Sequence, residues 1–471
     1  MTILRKALAI VGLLALLVGS ALAGLYGIAL AINRHDRPPS TAALEFASAA
    51  QSLPDVADRD NGYVYALGLA APQGADPLRV GIARATEIRR LARDPALGID
   101  LLSDAPAGGR DAVLEAERRL ESVWRACDEE GNRGCFEALQ SARDAIAATL
   151  GESSWALARY RALLDYPEWL EVDTYDWRRP LSPFLDIRKL QALLFLEAWT
   201  LADRGDAEGV RDLLDADAAF WRRTLVDSDL VINKVLIASS LRRHFLWANV
   251  ILKRLPPNAA DQGIPAAWQT PLSNEERSFR RVAVGEWRYA RNVMLSLKTG
   301  SASRALPADI PDPRSAVDKR LAELAQPFLQ PQDFTNRKSE GLARFAAAVD
   351  APYAELPAGF ARLAKDPGDD GSRGLRDVIY DFWGDALVGD PSDLSDYAAR
   401  VADLEGIRRA VLLVSELRAA AVSPTDVPTA LAAAELTNPY TGEPLTWVAD
   451  TQEVVFIGQA RGFRRRVALR Y

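Results

Sequence analysis

Three charged residues interrupt apolar faces of predicted helices. A charged group in such a position has either a catalytic role or a structural role as part of an ion pair. Glu197 lies on the apolar stripe of residues 190–201, Lys234 lies in a segment that is apolar nearly all round, and Glu286 lies between apolar residues of a later helix. A buried charge must be paired or neutralised, so we expect Lys234 to pair with Glu197 or Glu286 inside the helical body. The pair would fix helix register, and the alternative is a catalytic role.

The chain has only two histidines, His35 beside the apolar N-terminal segment and His244 within LRRHFLW. A histidine-based triad or metal site needs more partners than these two residues supply. We therefore predict that His244 is a helix-edge residue without a catalytic role. The sequence predicts no metal site and no cofactor.

The two cysteines, Cys127 and Cys135, enclose a short polar stretch, DEEGNRG. Outside the cytoplasm such a pair predicts a disulfide that closes a loop between two helices, and a free pair is the alternative. Two cysteines without a nearby histidine cannot complete a tetrahedral zinc site.

A second kind of chemistry needs two carboxylates across a cleft, as in glycoside hydrolysis. The Glu152-Ser153 pair in GESSW resembles the Glu-Ser of lytic transglycosylases, but the other motifs of those enzymes are absent. Gly-Glu-Ser is also an ordinary helix start. An envelope glycan hydrolase with paired carboxylates therefore stays an alternative function.

The candidate residues named above lie in segments whose apolar residues recur with helical periodicity. This periodicity predicts a mainly α fold. A helical array covers residues 110–255, with a hairpin over residues 111–150 and an α-solenoid-like layout of helix, short turn and helix after residue 185. Pro-rich segments over 256–373 surround a helix that a capping box at Ser273 starts, predicted over 274–298. Helices resume over 374–436.

The residues from Ala7 to Ile32 form an apolar run without a charge, long enough to span a bilayer. With the basic N-terminal tail, this run predicts a signal anchor over residues 1–32 and a bulk domain outside the cytoplasm. The alternative is a signal peptide cut after Ala23, where small residues precede the cut.

Residues 33–109 are predicted to form a juxtamembrane and N-terminal helical segment, in which residues 33–51 lift the fold off the membrane. Asp76 is followed by proline, which predicts a helix N-terminus at that point. The glycines Gly68, Gly74 and Gly81 do not have the spacing of a phosphate-binding loop, so we predict turn positions for them.

The C-terminal residues 437–471 differ in kind, because two or three short strands follow the turn-rich segment NPYTGEP. They predict an antiparallel β-hairpin or meander. Arg464, Arg465 and Arg466 are predicted to lie on a solvated strand face, with contact to an anionic lipid or glycan as the alternative.

The turn Asn438-Pro439-Tyr440-Thr441-Gly442, with Pro444-Leu445 and Trp447 and a following strand, resembles a signature of uncharacterised bacterial membrane-anchored helical proteins. In that signature a helix with a Leu-Arg pair precedes the turn, as Leu417-Arg418 does here, and the NGYVYALG segment resembles the same proteins. The resemblance implies an envelope location and no particular activity. The turn is also similar to one in type II secretion pseudopilins, but the apolar run lacks their glutamate.

The net charge of −7 and a pI of about 5.3 argue against general nucleic-acid binding, which needs a basic face. The sequence thus predicts a single-pass protein of a bacterial inner membrane with its bulk in the periplasm. It touches the bilayer through residues 7–32. Its helical domain is expected to bind another envelope component, most simply a protein, without catalysis.

Overall fold

The computed structural model describes residues 2–52, 54–94, 118–129, 134–178, 183–299, 326–365, 379–381 and 394–471, with residues 320, 323 and 324. These form a helical body with an apolar N-terminal helix and a small three-stranded antiparallel sheet, which confirms the predicted fold class. Parts of the predicted hairpin over 111–150, of the Pro-rich segments and of the helices after residue 374 lie outside the described residues.

Helix α1 (Thr2–Ile32) contains the apolar run, and its residues Ile10–Ile32 are long and apolar enough to cross a membrane. The Leu and Ile side chains from Ile10 to Ile28 are exposed, whereas Tyr26, Ala29 and Ile32 are partly covered by the rest of the chain. The covered positions recur every three residues, so one side of the end of α1 faces the helical body.

The residues after α1 contact the helical body directly. Asn33 is buried and donates hydrogen bonds from its side-chain amide to the carbonyls of Ala29 and Ile379, at 2.9 and 3.1 Å. Asp36 accepts hydrogen bonds from the backbone N–H groups of Gln332 and Asp333. The chain leaving α1 is therefore bound directly to the body, because these polar groups find their partners there.

The N-terminal helices are α2 (Thr41–Gln51), α3 (Gly62–Leu67) and α4 (Pro77–Arg93). Asp76 accepts a hydrogen bond from the Leu78 N–H at 3.0 Å, which confirms the predicted start of α4. Gly68 and Gly81 lie where α3 and α4 touch, rather than serving only as turn residues. A Cβ at either glycine would overlap a backbone carbonyl oxygen of the other helix segment.

Helices α9, α10 and α11 form the centre of the body. They contact one another, as consecutive solenoid helices do, and α11 is buried along most of its length as predicted. The helix packed most extensively on α11 is α16 (Ser395–Ala419), which comes from far along the chain, so the array closes here rather than continuing. The helices of this middle region are α5 (Glu121–Trp124), α6 (Cys135–Ser141), α7 (Arg143–Glu152), α8 (Ser154–Leu164), α9 (Phe184–Asp203), α10 (Ala207–Asp227) and α11 (Val231–Arg254).

The capping box at Ser273 is present, since its side chain accepts from the Glu276 N–H at 3.2 Å and Glu276 accepts from the Ser273 N–H. The helix that it starts is short, however, because the backbone at Ser278 is extended. The predicted helix over 274–298 is therefore two helices, α12 (Asn274–Arg277) and α13 (Arg280–Thr299), and α14 (Pro331–Val349) and α15 (Leu356–Lys365) follow.

The C-terminal part comprises α16 (Ser395–Ala419), α17 (Val427–Ala433) and strands β1 (Thr446–Val448), β2 (Glu453–Ile457) and β3 (Arg466–Arg470). The strands are antiparallel in the order β1-β2-β3, a meander, with Trp447 opposite Val454 and Val455 opposite Ala468. The buried side chains of β2 pack onto α16. The sheet thereby places its connecting loops beside α16.

Candidate functional site

The two cysteines lie at disulfide distance, with Cα atoms 4.6 Å apart, and both are buried. They join the helical turn after α5 to the first residue of α6. Asp128, next to Cys127, then points toward α11, where it accepts hydrogen bonds from Arg243 and from the Trp247 indole. The cysteine pair thus holds a carboxylate against the central helix.

Lys234 does not form the predicted ion pair, although it is buried as expected. Its ammonium donates a hydrogen bond to the Leu225 carbonyl at 2.5 Å and lies 5.5 Å from the centre of the Phe279 ring. Glu197 instead pairs with Arg161, and Glu286 accepts a hydrogen bond from the Val231 N–H at 2.9 Å. The structure brings Glu286 to the start of α11, but to its backbone rather than to the lysine.

The geometry of Lys234 predicts a stability effect with a definite pH dependence. Burial lowers the pKa of Lys234 to about 7, although the nearby Glu276 carboxylate opposes this. An unfolded lysine has a pKa of about 10.4, so between these values the unfolded chain binds a proton that the folded chain does not. Folding stability contributed by this group therefore rises with pH from about 7 to about 10.

We expect Lys234→Met to be more stable than the wild type at pH 7 by about 1–3 kcal/mol, after allowing for the unsatisfied Leu225 carbonyl. The difference should shrink as the pH approaches 10. Urea denaturation of both proteins across this pH range measures it. A difference that does not vary with pH would contradict the depressed lysine pKa.

His244 is completely buried on α11, so the prediction of a helix-edge position is wrong. Its Nε2 accepts a hydrogen bond from the Trp268 indole N–H at 3.0 Å, and its Nδ1 lies 2.8 Å from an Asp217 carboxylate oxygen. An indole only donates, so Nδ1 carries the proton and the tautomer is fixed. Both ring nitrogens are therefore engaged in the core, while His35 is exposed beside α1.

A cavity of about 170 Å³ lies between α11, α16 and the segment of Cys127 and Asp128. One buried water needs only about 15 Å³, so the cavity has room for a ligand of several atoms. Positions on α11 and on α16 reach it at helical spacing, so each helix supplies one face. We call it the arginine pocket, since its charged lining consists of Arg188, Arg242, Arg243, Arg400, Arg464, Asp128 and Asp403.

Two of these arginines are neutralised by carboxylates. Arg243 makes a bidentate contact with Asp128, at 2.8 and 2.6 Å, and Arg400 pairs with Asp396 one turn earlier on α16. The second carboxylate of the lining, Asp403, accepts hydrogen bonds from the Tyr440 hydroxyl at 2.6 Å and from two backbone N–H groups of the β2–β3 connection. Both carboxylates of the pocket therefore already have donors.

Two arginines of the same lining have no such partner. Among the described residues, neither the Arg188 nor the Arg242 guanidinium has a hydrogen-bond or ion-pair acceptor, and the Arg242 Nε is fully buried. Burial lowers the pKa of Arg242, and the nearby Arg464 lowers it further. Burial also lowers the pKa of Arg188, with Arg243 adding to the effect. The pocket thus holds two partly buried cations without a direct acceptor among the described residues, and only the more distant charges of Asp128 and Asp403 offset their desolvation.

Arg464 was predicted to lie on a solvated strand face, but it is half-buried in this lining. The short helical turn Gly462–Arg465 before β3 places it there. Burial lowers its pKa, and Arg400 lowers it further. Arg465 and Arg466 are exposed, as the predicted solvated face requires, so only Arg464 departs from that prediction.

The NPYTG turn helps to build the pocket. Its Asn438 side chain accepts from the Tyr440 N–H, its Gly442 has a φ of +70°, and Tyr440 then reaches down to Asp403 on α16. Asp403 in turn fixes the loop that leads to Arg464. The Leu-Arg pair has a related structural role, because Arg418 donates to the carbonyls of Asn249 and Arg470 and so joins α11 to β3.

A second hollow of about 410 Å³ shares Asp128, Arg188 and Arg243 with the arginine pocket. Its other walls include the Trp124 ring and Leu185, whose side chain is 62% exposed. An anion held by the arginines therefore has a partly apolar surface beside it, where the rest of a ligand can pack.

Within the described part of the chain, no group of three or more His, Cys, Asp or Glu side chains is arranged to hold a metal ion. This chain matches no protein-family model, no curated protein and no solved structure.

Proposed function

We propose that this protein is a membrane-anchored binding protein whose helical domain, on the extracytoplasmic side of a bacterial inner membrane, holds an anionic group of another envelope component. The observation that carries the proposal is the pair of partly buried guanidinium groups of Arg188 and Arg242 in the arginine pocket, which have no acceptor among the described residues. Guanidinium groups bind carboxylates and phosphates with two parallel hydrogen bonds. A bound anion would restore the charge balance that the lining lacks.

The charge of the pocket contrasts with that of the chain. The lining contains five arginines against two aspartates, whereas the whole chain carries a net charge of −7. The local positive charge of the pocket attracts anions to this one place. The negative net charge of the whole chain discourages general binding to polyanions. The partly apolar second hollow supports a ligand with an uncharged part next to its anionic group.

The extracytoplasmic location and the single-pass anchor rest on the sequence and on the exposed apolar α1. The cysteine pair at disulfide distance supports an oxidising compartment. A signal peptide cleaved after Ala23 would leave Tyr26, Ala29 and Ile32 in their contacts with the body, so the pocket does not depend on the choice between anchor and signal.

Calorimetric titration of the full-length protein in lipid nanodiscs tests the proposal. Inorganic phosphate and succinate are titrated separately, each against potassium chloride of equal ionic strength. We expect one anion bound per chain, with an affinity that falls as salt is added, because the guanidinium groups are partly accessible. The stronger of the two probes identifies the anion class. Heats identical to those of the chloride titration for both probes would overturn the proposal.

The glycan hydrolase alternative requires a free carboxylate next to a protonated one. Asp128 and Asp403 are the carboxylates of the arginine pocket, and each is held by donors from the protein. Burial raises the pKa of Asp403, as a general acid would require, but its hydroxyl and backbone partners give it a structural role in the wall. The binding function is therefore the one that the geometry favours.

A further inference from the structure

The end of α1 is joined to the body by contacts that lie within the apolar span itself. The Tyr26 ring packs edge-on against Phe328 with centroids 5.2 Å apart, and the Tyr26 hydroxyl donates to the Leu324 carbonyl at 3.2 Å. Tyr26 precedes Ile32 by six residues, which is about 9 Å along a helix axis. Part of the body therefore reaches the level of the outer part of the span.

The segment beside Tyr26 has its backbone carbonyls satisfied by the protein. The Lys298 ammonium, near the end of α13, donates to the carbonyls of Gln326, Pro327 and Leu329, at 3.3, 3.3 and 2.7 Å. The Gln326 amide donates back to the Lys298 carbonyl at 2.5 Å. Satisfied carbonyls are a requirement for irregular backbone at membrane depth, because lipid offers no hydrogen-bond donors.

Large apolar side chains are exposed on the same part of the body. Leu324 is 52% exposed, and Leu295 and Leu297 at the end of α13 are 36% and 38% exposed. Apolar surface of these side chains is unfavourable in contact with water, and contact with lipid would remove it from water. The bonds of Lys298 place the end of α13 beside residues 326–329, which Tyr26 contacts through Phe328.

We propose that this surface, consisting of Leu295, Leu297, Leu324 and Phe328, inserts into the outer interface of the bilayer that α1 crosses. Interfacial elements bury their apolar faces about 5–10 Å into the boundary between headgroups and acyl chains, which matches the level of Tyr26. The hydrogen bonds of Asn33 and Asp36 to the body keep the surface in place relative to α1. The domain thus rests on the membrane in one orientation, and α1 is not a free tether.

Spin labels on the full-length protein test this inference. Leu297→Cys and Leu324→Cys are labelled with a nitroxide under non-reducing conditions, and the protein is placed in nanodiscs of phosphatidylethanolamine and phosphatidylglycerol. Ile457→Cys on β2 is the matched control, because Ile457 is 39% exposed and β2 pairs with β1 and β3 and packs on α16. Power saturation measures the accessibility of each label to oxygen, which concentrates in lipid, and to a water-soluble nickel chelate.

We expect the ratio of oxygen to nickel accessibility to be several-fold higher at positions 297 and 324 than at position 457. A ratio at 297 and 324 equal to that at 457 would place this surface in water and overturn the inference. Low accessibility to both reagents would indicate a protein partner instead, which also overturns it. Phosphate binding in the arginine pocket can succeed or fail independently of either outcome.

Discussion

Arg242→Gln should weaken binding of the anion in the arginine pocket by about 30- to 5,000-fold, the equivalent of losing a charged partner worth about 2–5 kcal/mol. Arg242 combines a buried Nε, a pKa lowered by its surroundings and the absence of an acceptor among the described residues. The same substitution removes a partly buried cation without a direct acceptor from the ligand-free protein. We therefore expect the variant to be at least as stable as the wild type when no anion is present.

Replacing a residue that binds the anion should weaken anion binding without lowering stability. Replacing a residue that only supports the fold should lower stability without changing anion binding. Arg222 provides the control, because it forms a bidentate pair with Glu276 and donates to three backbone carbonyls away from the pocket. Arg222→Gln should lower the free energy of unfolding and leave the anion affinity unchanged. Calorimetric titration and urea denaturation of both variants measure the two quantities. An Arg242→Gln protein that binds the anion normally would exclude Arg242 from the site.

The periodicity of the sequence predicts the fold class, the start of α4, the buried α11 and the C-terminal meander, because each depends on local patterns. It fails where the outcome depends on contacts between distant segments. The helix expected over 274–298 breaks at Ser278, and the segment after Ile32 binds α14 through polar groups that leave no periodic signal. A pattern of single residues cannot reveal a partner about 300 positions away.

The candidate site was harder to predict for the same reason. Lys234 was recognised as a charge in an apolar helix, and its burial is confirmed, but its hydrogen-bond acceptor is a backbone carbonyl that no residue type reveals. Arg188 and Arg242 belong to different helices, and each looks like an ordinary surface arginine in its own segment. Among the five arginines of the lining, only Arg464 stands out in the sequence, because it belongs to a run of three arginines.

Gly81→Ala should destabilise the protein by more than about 3 kcal/mol, at the upper end of the effects of overpacking. A Cβ at Gly81 would lie 1.9 Å from the Val64 carbonyl oxygen, and a Cβ at Gly68 would lie equally close to the Pro77 carbonyl oxygen. The obstacle is backbone on both sides, so no side-chain rotation relieves it. Helices α3 and α4 would have to separate, and buried residues of α3 such as Tyr63 would lose their packing.

Gly151→Ala is the control for Gly81→Ala, because it changes helix propensity without a steric overlap. Gly151 lies in α7 and has open space where a Cβ would be placed, so Gly151→Ala should stabilise the protein by roughly 0.5–1 kcal/mol. Both substitutions add one methyl group within a helix, and they differ in what that methyl group meets. Thermal unfolding of the two variants therefore measures the α3–α4 contact itself. If Gly81→Ala were also neutral or stabilising, the close approach of α3 and α4 would be wrong, because no relaxation of side chains could accommodate the added atom.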